Sequence, residues 1–421
     1  MSLFVPREGL RLTRALQSRA FACFWLGQSI SSLGDGAFLT ALAVAVYQLT
    51  GSSLIMGLLL MAQIIPELLL TLAGGVVADR LPRRLILVCA DTGRALTVLL
   101  IALLLWLHLL HLWHLFALAI LFGLCRSFFS PAYRAITPQI VVKEHLSSAN
   151  ALTGLSIYFG NLLGPMLGAG CIALARGSAG LAFAFDGLTF IISVCSLLAL
   201  RSLPLITDQE DRRPGGLKSV VQDMREGFGT ILGSTWLLWS MIVATFGLVA
   251  YTGAMSVSLP KMVFAVYKSG PWLLAAIATS AGLGAVIGTA LVGQVHLRRR
   301  GVIALLGYIL CGLALIVFSI PFPPKTIPFI VLPAAFLVGS GMSVMNTIWL
   351  TLLYELVPNE QLGRVSSVDL LGSLGLLPIG YVLAGWLSDH LGPSAVFLCG
   401  GLLMVALDCI PLLFRDIRTL Q

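Results

Sequence analysis

Ala119-Ile-Leu-Phe-Gly-Leu-Cys-Arg-Ser127 returns 216 residues later as Ala335-Phe-Leu-Val-Gly-Ser-Gly-Met-Ser343. The same interval carries Arg83-Arg84 onto Arg299-Arg300, Glu144-His-Leu146 onto Glu360-Gln-Leu362, and Gly164 onto Gly380. Matches among Leu and Ala arise easily by chance, but one ungapped register over so much of the chain does not. The chain is therefore read as two similar halves in tandem. Each copy of the pattern lies in an apolar run of bilayer-spanning length, since a hydrocarbon core of about 30 Å needs roughly 20 apolar residues in a helix.

Working outward from these copies, six such runs fall within residues 21–200 and six within 237–413. They are too long for strands and lack the alternation of a barrel. In lipid the backbone must bond within its own segment, so helices are the structure that fits. Composition agrees, with 58% of residues hydrophobic and 10% charged, against roughly 25% charged in a soluble domain. Lys and Arg test the topology, because they gather in cytoplasmic loops. With both termini inside, twenty of the 26 fall in inner loops, four in outer loops, and two, Arg94 and Arg126, within spans. The net charge of +8 then reflects topology, and no nucleic-acid partner is needed to explain it. The first run is too long for a signal peptide and is expected to be retained.

The expected organisation is a six-helix bundle over residues 1–203, a cytoplasmic linker over 204–235 and a second six-helix bundle over 236–421. The linker is polar at first. It then carries Leu217, Val220, Val221, Met224, Phe228 and Ile231 at helical spacing, with Lys218, Asp223, Arg225 and Glu226 on the other face. Such a helix either lies on the inner membrane surface or packs on the cytoplasmic ends of the bundles. The eight cysteines form no CxxC pair and call for neither metal nor disulfide.

Two stretches carry a family resemblance. Gly75-Val-Val-Ala-Asp79-Arg80-Leu-Pro-Arg83-Arg84 resembles the signature loop between spans two and three of the major facilitator superfamily. Gly160-Asn-Leu-Leu-Gly164-Pro165-Met-Leu-Gly168-Ala-Gly170 resembles that superfamily's antiporter signature. In the first, Gly75 is expected to let two helices approach closely. Asp79 is expected to face the positive end of a helix, and Arg80, Arg83 and Arg84 to pair with carboxylates at the inner surface as a gate lock. The equivalent second-half loop keeps Arg298, Arg299 and Arg300 but lacks the acid, so the lock should be lopsided. In the second stretch, Pro165 bends the helix, and Gly160, Gly164 and Gly168 make a smooth packing face. Leu33-Gly-Asp35-Gly, Tyr47-Gln-Leu-Thr-Gly51-Ser, Ala90-Asp91-Thr-Gly-Arg94-Ala and Leu362-Gly-Arg364-Val-Ser-Ser are similar to the bacterial macrolide-efflux-like, drug:proton antiporter branch. The resemblance implies an all-α membrane fold of twelve helices in two pseudo-twofold-related bundles, with spans one, four, seven and ten lining a central cavity.

Ionisable groups within spans are costly and usually functional. Asp35, Glu67 and Arg126 are the candidates for a proton-coupling centre. An acid among apolar side chains holds its proton more firmly than in water, as proton-coupled export requires, and Glu67 is the first choice for the group at which proton and substrate compete. A permanent Asp35–Arg126 or Glu67–Arg126 pair tying helices together is the structural alternative. Asp91 and Arg94, three apart on one helix face, read as a structural pair near the inner end of span three. Asp186 and Asp408 fall in peripheral spans and read as packing or helix-end residues, and Asp389 as a cap on an outer loop. Gln28, Tyr251, Asn346 and Trp349 are candidate cavity residues. His108, His111 and His114 read as interfacial anchors with the neighbouring tryptophans, and no metal site is expected.

The expected activity is secondary transport: export of small hydrophobic or cationic compounds in exchange for protons, by alternating access. The proton gradient would be the energy source, with no cofactor. The sequence has no phosphate-binding GxxxxGK[ST] loop and no Ser/His/Asp constellation, so ATP drive and enzyme chemistry find no support. Lipid or lysolipid translocation, uptake, and a non-transporting receptor are the alternatives. The chain is expected to act as a monomer among membrane lipids, in a bacterial cytoplasmic membrane with both termini cytoplasmic.

Overall fold

A computed structural model describes residues 11–200, 217–294 and 298–418. Among them every regular element is helical. The first half holds α1 (Arg19–Thr50), α2 (Ser53–Arg80), α3 (Arg83–Trp106), α4 (Leu112–Ile140), α5 (Leu146–Leu174) and α6 (Gly180–Ala199). After α7 (Leu217–Leu232) come α8 (Thr235–Thr252), α9 (Leu259–Lys261), α10 (Pro271–Gln294), α11 (Arg300–Phe318), α12 (Ile327–Leu356), α13 (Asn359–Gly375), α14 (Leu377–Leu391), α15 (Pro393–Cys409) and α16 (Arg415–Arg418). Twelve stretches are long and apolar enough to cross a membrane.

The tandem repeat is visible in the helix starts. Adding 216 to the start of α1 gives Thr235, where α8 begins, and adding it to the start of α4 gives a residue within one of Ile327, where α12 begins. The copy of α1 is not a plain α-helix. From Thr235 to Val266 it passes through π-helical turns at Gly253–Ser258 and Met262–Val266, with α9 between them. Such π turns are rare and concentrate at functional sites.

Contacts group the chain into two compact units. One is Met1–Ala45 with Ala62–Asp208; the other is Val46–Met61 with Gln209–Gln421. The end of α1 and the start of α2 thus belong with the second unit. In the first unit, Phe21, Phe24, Leu87, Ile136 and Leu197 form a buried cluster. In the second, Leu237, Met241, Trp349, Leu353, Val365 and Val368 form another.

The described half of α7 packs within the second unit. Ile231 joins the buried cluster of the second unit. Thr230 donates to Gln361 Oε1 at 3.3 Å, Glu226 pairs with Arg364, and the Gly227 backbone abuts the Arg364 carbonyl. The helix is therefore docked on α13. The side chains of Leu217, Lys218, Val220, Val221, Asp223 and Met224 lie outside the described residues.

The glycines of α5 do what their pattern implies. A Cβ on Gly160 would come 2.5 Å from the Ser32 carbonyl, on Gly164 2.7 Å from Gly36 Cα, and on Gly168 2.8 Å from the Ala37 carbonyl. The α1 and α5 backbones are in direct contact along this face. Gly75 differs from expectation: a Cβ there meets nothing within 4 Å, whereas one on Gly74 would come 2.5 Å from the Ser127 carbonyl. The close approach of α2 to α4 is made one residue earlier than the motif suggests. Gly164→Val should accordingly cost about 1–3 kcal/mol through overpacking. Gly75→Ala should be neutral or stabilise by about 0.5–1 kcal/mol, because alanine suits a helix interior better. Thermal unfolding of the two variants in detergent checks the contrast; equal losses would contradict the α1–α5 contact.

Candidate functional site

The site is built on α3. Asp91 and Arg94 lie three apart, so helical geometry puts both on one face, and they form a buried ion pair with side chains 0% and 5% exposed. Arg94 falls at the middle of α3, deeper than the inner-end position expected from sequence. Its guanidinium lies 4.0 Å from the ring centre of Phe129 and 4.5 Å from that of Phe190. An arginine whose planar faces meet aromatic rings is held by stacking as well as charge. Its Nε has no hydrogen-bond partner.

Two flanking helices present residues to this pair at heptad spacing, which keeps them on one face. From α6, Ser193 donates to Asp91 Oδ2 at 2.6 Å. From α1, Gln28 Nε2 donates to Ser193 Oγ at 2.7 Å and reaches Asp91 Oδ2 at 3.5 Å. Gln28 is thus part of a packed network rather than a cavity wall, which corrects its expected role. Seven residues from Gln28 on α1 is Asp35, within electrostatic reach of Arg94, Arg126 and Asp91. Seven residues before Ser193 on α6 is Asp186, within reach of Asp35 and Arg94. Asp186 is 0% exposed, and neither carboxyl oxygen has a hydrogen-bond partner. The nearby Thr189 hydroxyl donates to the Asp186 backbone carbonyl at 2.7 Å. Gly34 leaves room for this carboxyl, since a Cβ there would come within 2.4 Å of Asp186 Oδ1.

Beside this cluster, Arg126 of α4 pairs with Glu67 of α2, Nε to Oε1 at 3.3 Å. Here the side chains are 50% and 25% exposed. The first unit therefore holds buried Asp91, Arg94 and Asp186 with half-buried Asp35, and a more open pair, Glu67 with Arg126. Of the expected centre, Glu67 and Arg126 are in contact, and Asp35 joins Asp91 and Arg94. Asp186 was missed. Its type and span were legible, but the face it turns towards α1 and α3 depends on the rotation of α6 in the bundle.

In the inner loop, the described contacts of the arginines are to backbone. Arg83 donates to the Ala135 carbonyl at 2.7 Å, and Arg84 to the Leu197 and Leu198 carbonyls. Among the described residues, both arginines bind backbone carbonyls within their own unit. The Leu198 carbonyl lies in the last turn of α6, where intrahelical partners run out, and the Leu197 carbonyl takes Arg84 as a second donor beside the Leu200 N–H at 3.3 Å. Arg80 is exposed, and the Asp79 side chain lies outside the described residues. The equivalent loop of the second half does pair with an acid, Arg300 with Glu355.

In the second unit, Trp349 is buried in the apolar cluster and donates to Asp369 Oδ2 at 3.2 Å. It is a core residue, which corrects its assignment to a cavity. Tyr251 is half-buried on α8 and Asn346 exposed on α12. Asp389 caps more than a loop: its carboxylate accepts from the N–H groups of Ser53 and Leu54 at 2.9 and 3.0 Å, from the Ser52 hydroxyl, and from Lys261 at 2.7 Å. The His111 N–H donates to His114 Nδ1 at 3.0 Å, so His111, just before α4, and His114, in its first turn, cap the start of that helix. Among the described residues, no group of three or more His, Cys, Asp and Glu side chains could hold a metal ion.

Comparison with known proteins supplies the context. The family model described as Major Facilitator Superfamily matches residues 24–377. The enterobactin exporter EntS of Shigella boydii serotype 4 (strain Sb227) is 28% identical over 379 residues, covering 89% of this chain and 87% of that protein. Macrolide efflux protein A of Streptococcus pyogenes is 22% identical over 413 residues, covering 95% and 97%. Among solved structures, a POT family transporter in complex with 5-aminolevulinic acid superposes with a TM-score of 0.71 at 14% identity, covering 96% of this chain and 97% of that one. A bacterial homologue of the iron transporter ferroportin, in its inward-facing state, gives 0.70 at 16% identity, covering 93% and 98%. The structural likenesses establish the shared fold.

Proposed function

The chain belongs to the Major Facilitator Superfamily of membrane transporters, and we propose that it exports small hydrophobic or cationic compounds in exchange for protons, by alternating access. The observation that carries this reading is the Glu67–Arg126 pair, an acid and a base embedded in spans yet partly open. A carboxylate that already holds one guanidinium can exchange it for a cationic substrate, and protonation of the same carboxylate would compete with either. Sequence relatives named as exporters of enterobactin and of macrolides support outward transport of bulky organic molecules. The reading needs no cofactor beyond the proton gradient. It fits a monomer surrounded by lipid in a bacterial cytoplasmic membrane, with the Arg-rich loops and both termini on the cytoplasmic side.

The test is reconstitution in liposomes with an imposed pH gradient and a trapped pH-sensitive dye. Erythromycin serves as a macrolide probe and ethidium as a hydrophobic cation. Either drug should evoke a proton flux opposite to its own movement. Glu67→Gln should weaken ethidium binding about ten- to a hundredfold, since a hydrogen bond to a charged group contributes about 1.5–3 kcal/mol. Drug movement without proton flux in the unaltered protein would remove proton coupling from the account.

A further inference from the structure

Three carboxyl groups, Asp35, Asp91 and Asp186, lie within electrostatic reach of one buried guanidinium, that of Arg94. Arg94 is committed to Asp91, which also accepts from Ser193. That leaves Asp186, fully enclosed, with no charged donor in contact and at most the Thr189 hydroxyl, which is already given to the Asp186 backbone carbonyl. An ionised carboxylate in that position would carry an uncompensated charge in an apolar interior, at a cost of several kcal/mol. A carboxylic acid would not.

We propose that Asp35 and Asp186 form a paired-carboxyl proton site, loaded and emptied through Asp35, with Arg94 and Arg126 as the cations that decide its occupancy. This deepens the proposed export reading and rests on it for its link to substrate. The geometry orders the roles. Asp35 is half-buried and within electrostatic reach of both Arg94 and Arg126, whereas Asp186 is fully enclosed. Arg94 keeps an unused Nε donor, so it can receive a second carboxylate without leaving Asp91.

Coupling then follows from charge. While Glu67 holds Arg126, the guanidinium is neutralised and the carboxyl pair keeps its proton. A cationic substrate at Glu67 releases Arg126, whose charge then favours the carboxylate at Asp35. One O–H bond breaks and the proton leaves to water through Asp35. No electron transfer or other reactant is involved. The ionisable side chains around the site are Asp35 from α1, Asp91 and Arg94 from α3, Arg126 from α4 and Asp186 on α6, with Cys125 and Tyr133 of α4 near the Asp91–Arg94 pair. The remaining neighbour of α6, α5, carries no charged residue.

Infrared spectra of the protein in liposomes, recorded through a pH titration in H2O and D2O, test this directly by the carboxylic acid C=O stretch. The expected result is a band that is present in the unaltered protein, lost in Asp186→Asn, titrating at a different pH in Asp35→Asn, and retained in Glu67→Gln. Asp408, also buried and unpartnered, gives its own band, identified by Asp408→Asn. Asp186→Glu keeps the acid on a longer arm and should shift the band, which secures the assignment if the asparagine variant does not accumulate. Spectra of Asp186→Asn that superimpose on those of the unaltered protein would overturn the proposal, as would an Asp186 band indifferent to Asp35→Asn. Drug-evoked proton flux is measured in parallel with erythromycin and ethidium. Its absence with the band present would defeat the export reading and leave the proton site standing; the reverse result would defeat the proton site alone.

Discussion

Replacing Arg94 by methionine is expected to remove about 3–5 kcal/mol of stability, the cost of leaving a buried charge without its partner. Asp91 is 0% exposed, and after the change its only donors are Ser193 at 2.6 Å and Gln28 at 3.5 Å. Neither is charged. The loss should show as a fall in the thermal midpoint in detergent and as poor accumulation in the membrane. Arg94→Lys should lie between, because an ammonium restores the charge but cannot stack flat on Phe129 and Phe190. The decisive variant is the double change Asp91→Leu with Arg94→Met. Replacing both members of a buried pair by apolar residues of similar volume is often neutral or stabilising, so the double variant should recover most of what the single one loses. A double variant no better than Arg94→Met would mean that the ion pair is not the source of the stability.

That pair also shows how far the sequence could be read. Spacing of three on a helix was enough to join Asp91 to Arg94, because the geometry is local to α3. The twelve spans and the two halves were legible for a similar reason: run length, loop charge and a constant 216-residue register need no knowledge of packing. What could not be read is which neighbour each helix face meets. Asp186 looked peripheral because its span is peripheral, yet its face turns inward to Asp35 and Arg94. Gln28 and Trp349 looked like cavity residues because they are polar or aromatic within spans, yet each spends its N–H on a partner inside its own unit. Asp369 was missed altogether because it falls at the soft boundary of its span. The displacement from Gly75 to Gly74 has the same origin. A shift of one residue turns a helix by about 100°, and the motif alone does not fix which glycine meets α4. Arg83 and Arg84 were assigned to carboxylates because charge pairing is the first thing a basic loop suggests. Backbone carbonyls of neighbouring helices compete for the same donors, and which of them come within reach is invisible in the sequence until the helices are placed.

A graded series at Asp389 carries the second large effect. Asp389→Ala should cost about 2–4 kcal/mol, because it removes a single acceptor for four donors, including the charged Lys261. Two of the donors are backbone N–H groups in the first turn of α2, which have no partner within the helix. Asp389→Asn keeps one oxygen for them and loses the ion pair, so it should cost about half as much. Lys261→Met leaves all three neutral donors satisfied and should cost about 1 kcal/mol or less, since the two charged side chains are about 20% exposed. Only the Lys261 share should shrink as salt is raised. The physical consequence is local. Val46–Met61 is grouped with the second unit although the rest of α2 is grouped with the first, and Asp389 supplies the polar bonds that hold it there, beside the contact of Gly385 with the Leu54 backbone. Amide hydrogen exchange at Ser53 and Leu54 should therefore rise in Asp389→Ala well before exchange in α3 changes. Uniform exchange across α2 and α3 in that variant would show that the carboxylate holds no separate latch, and that the start of α2 opens only when the whole unit does.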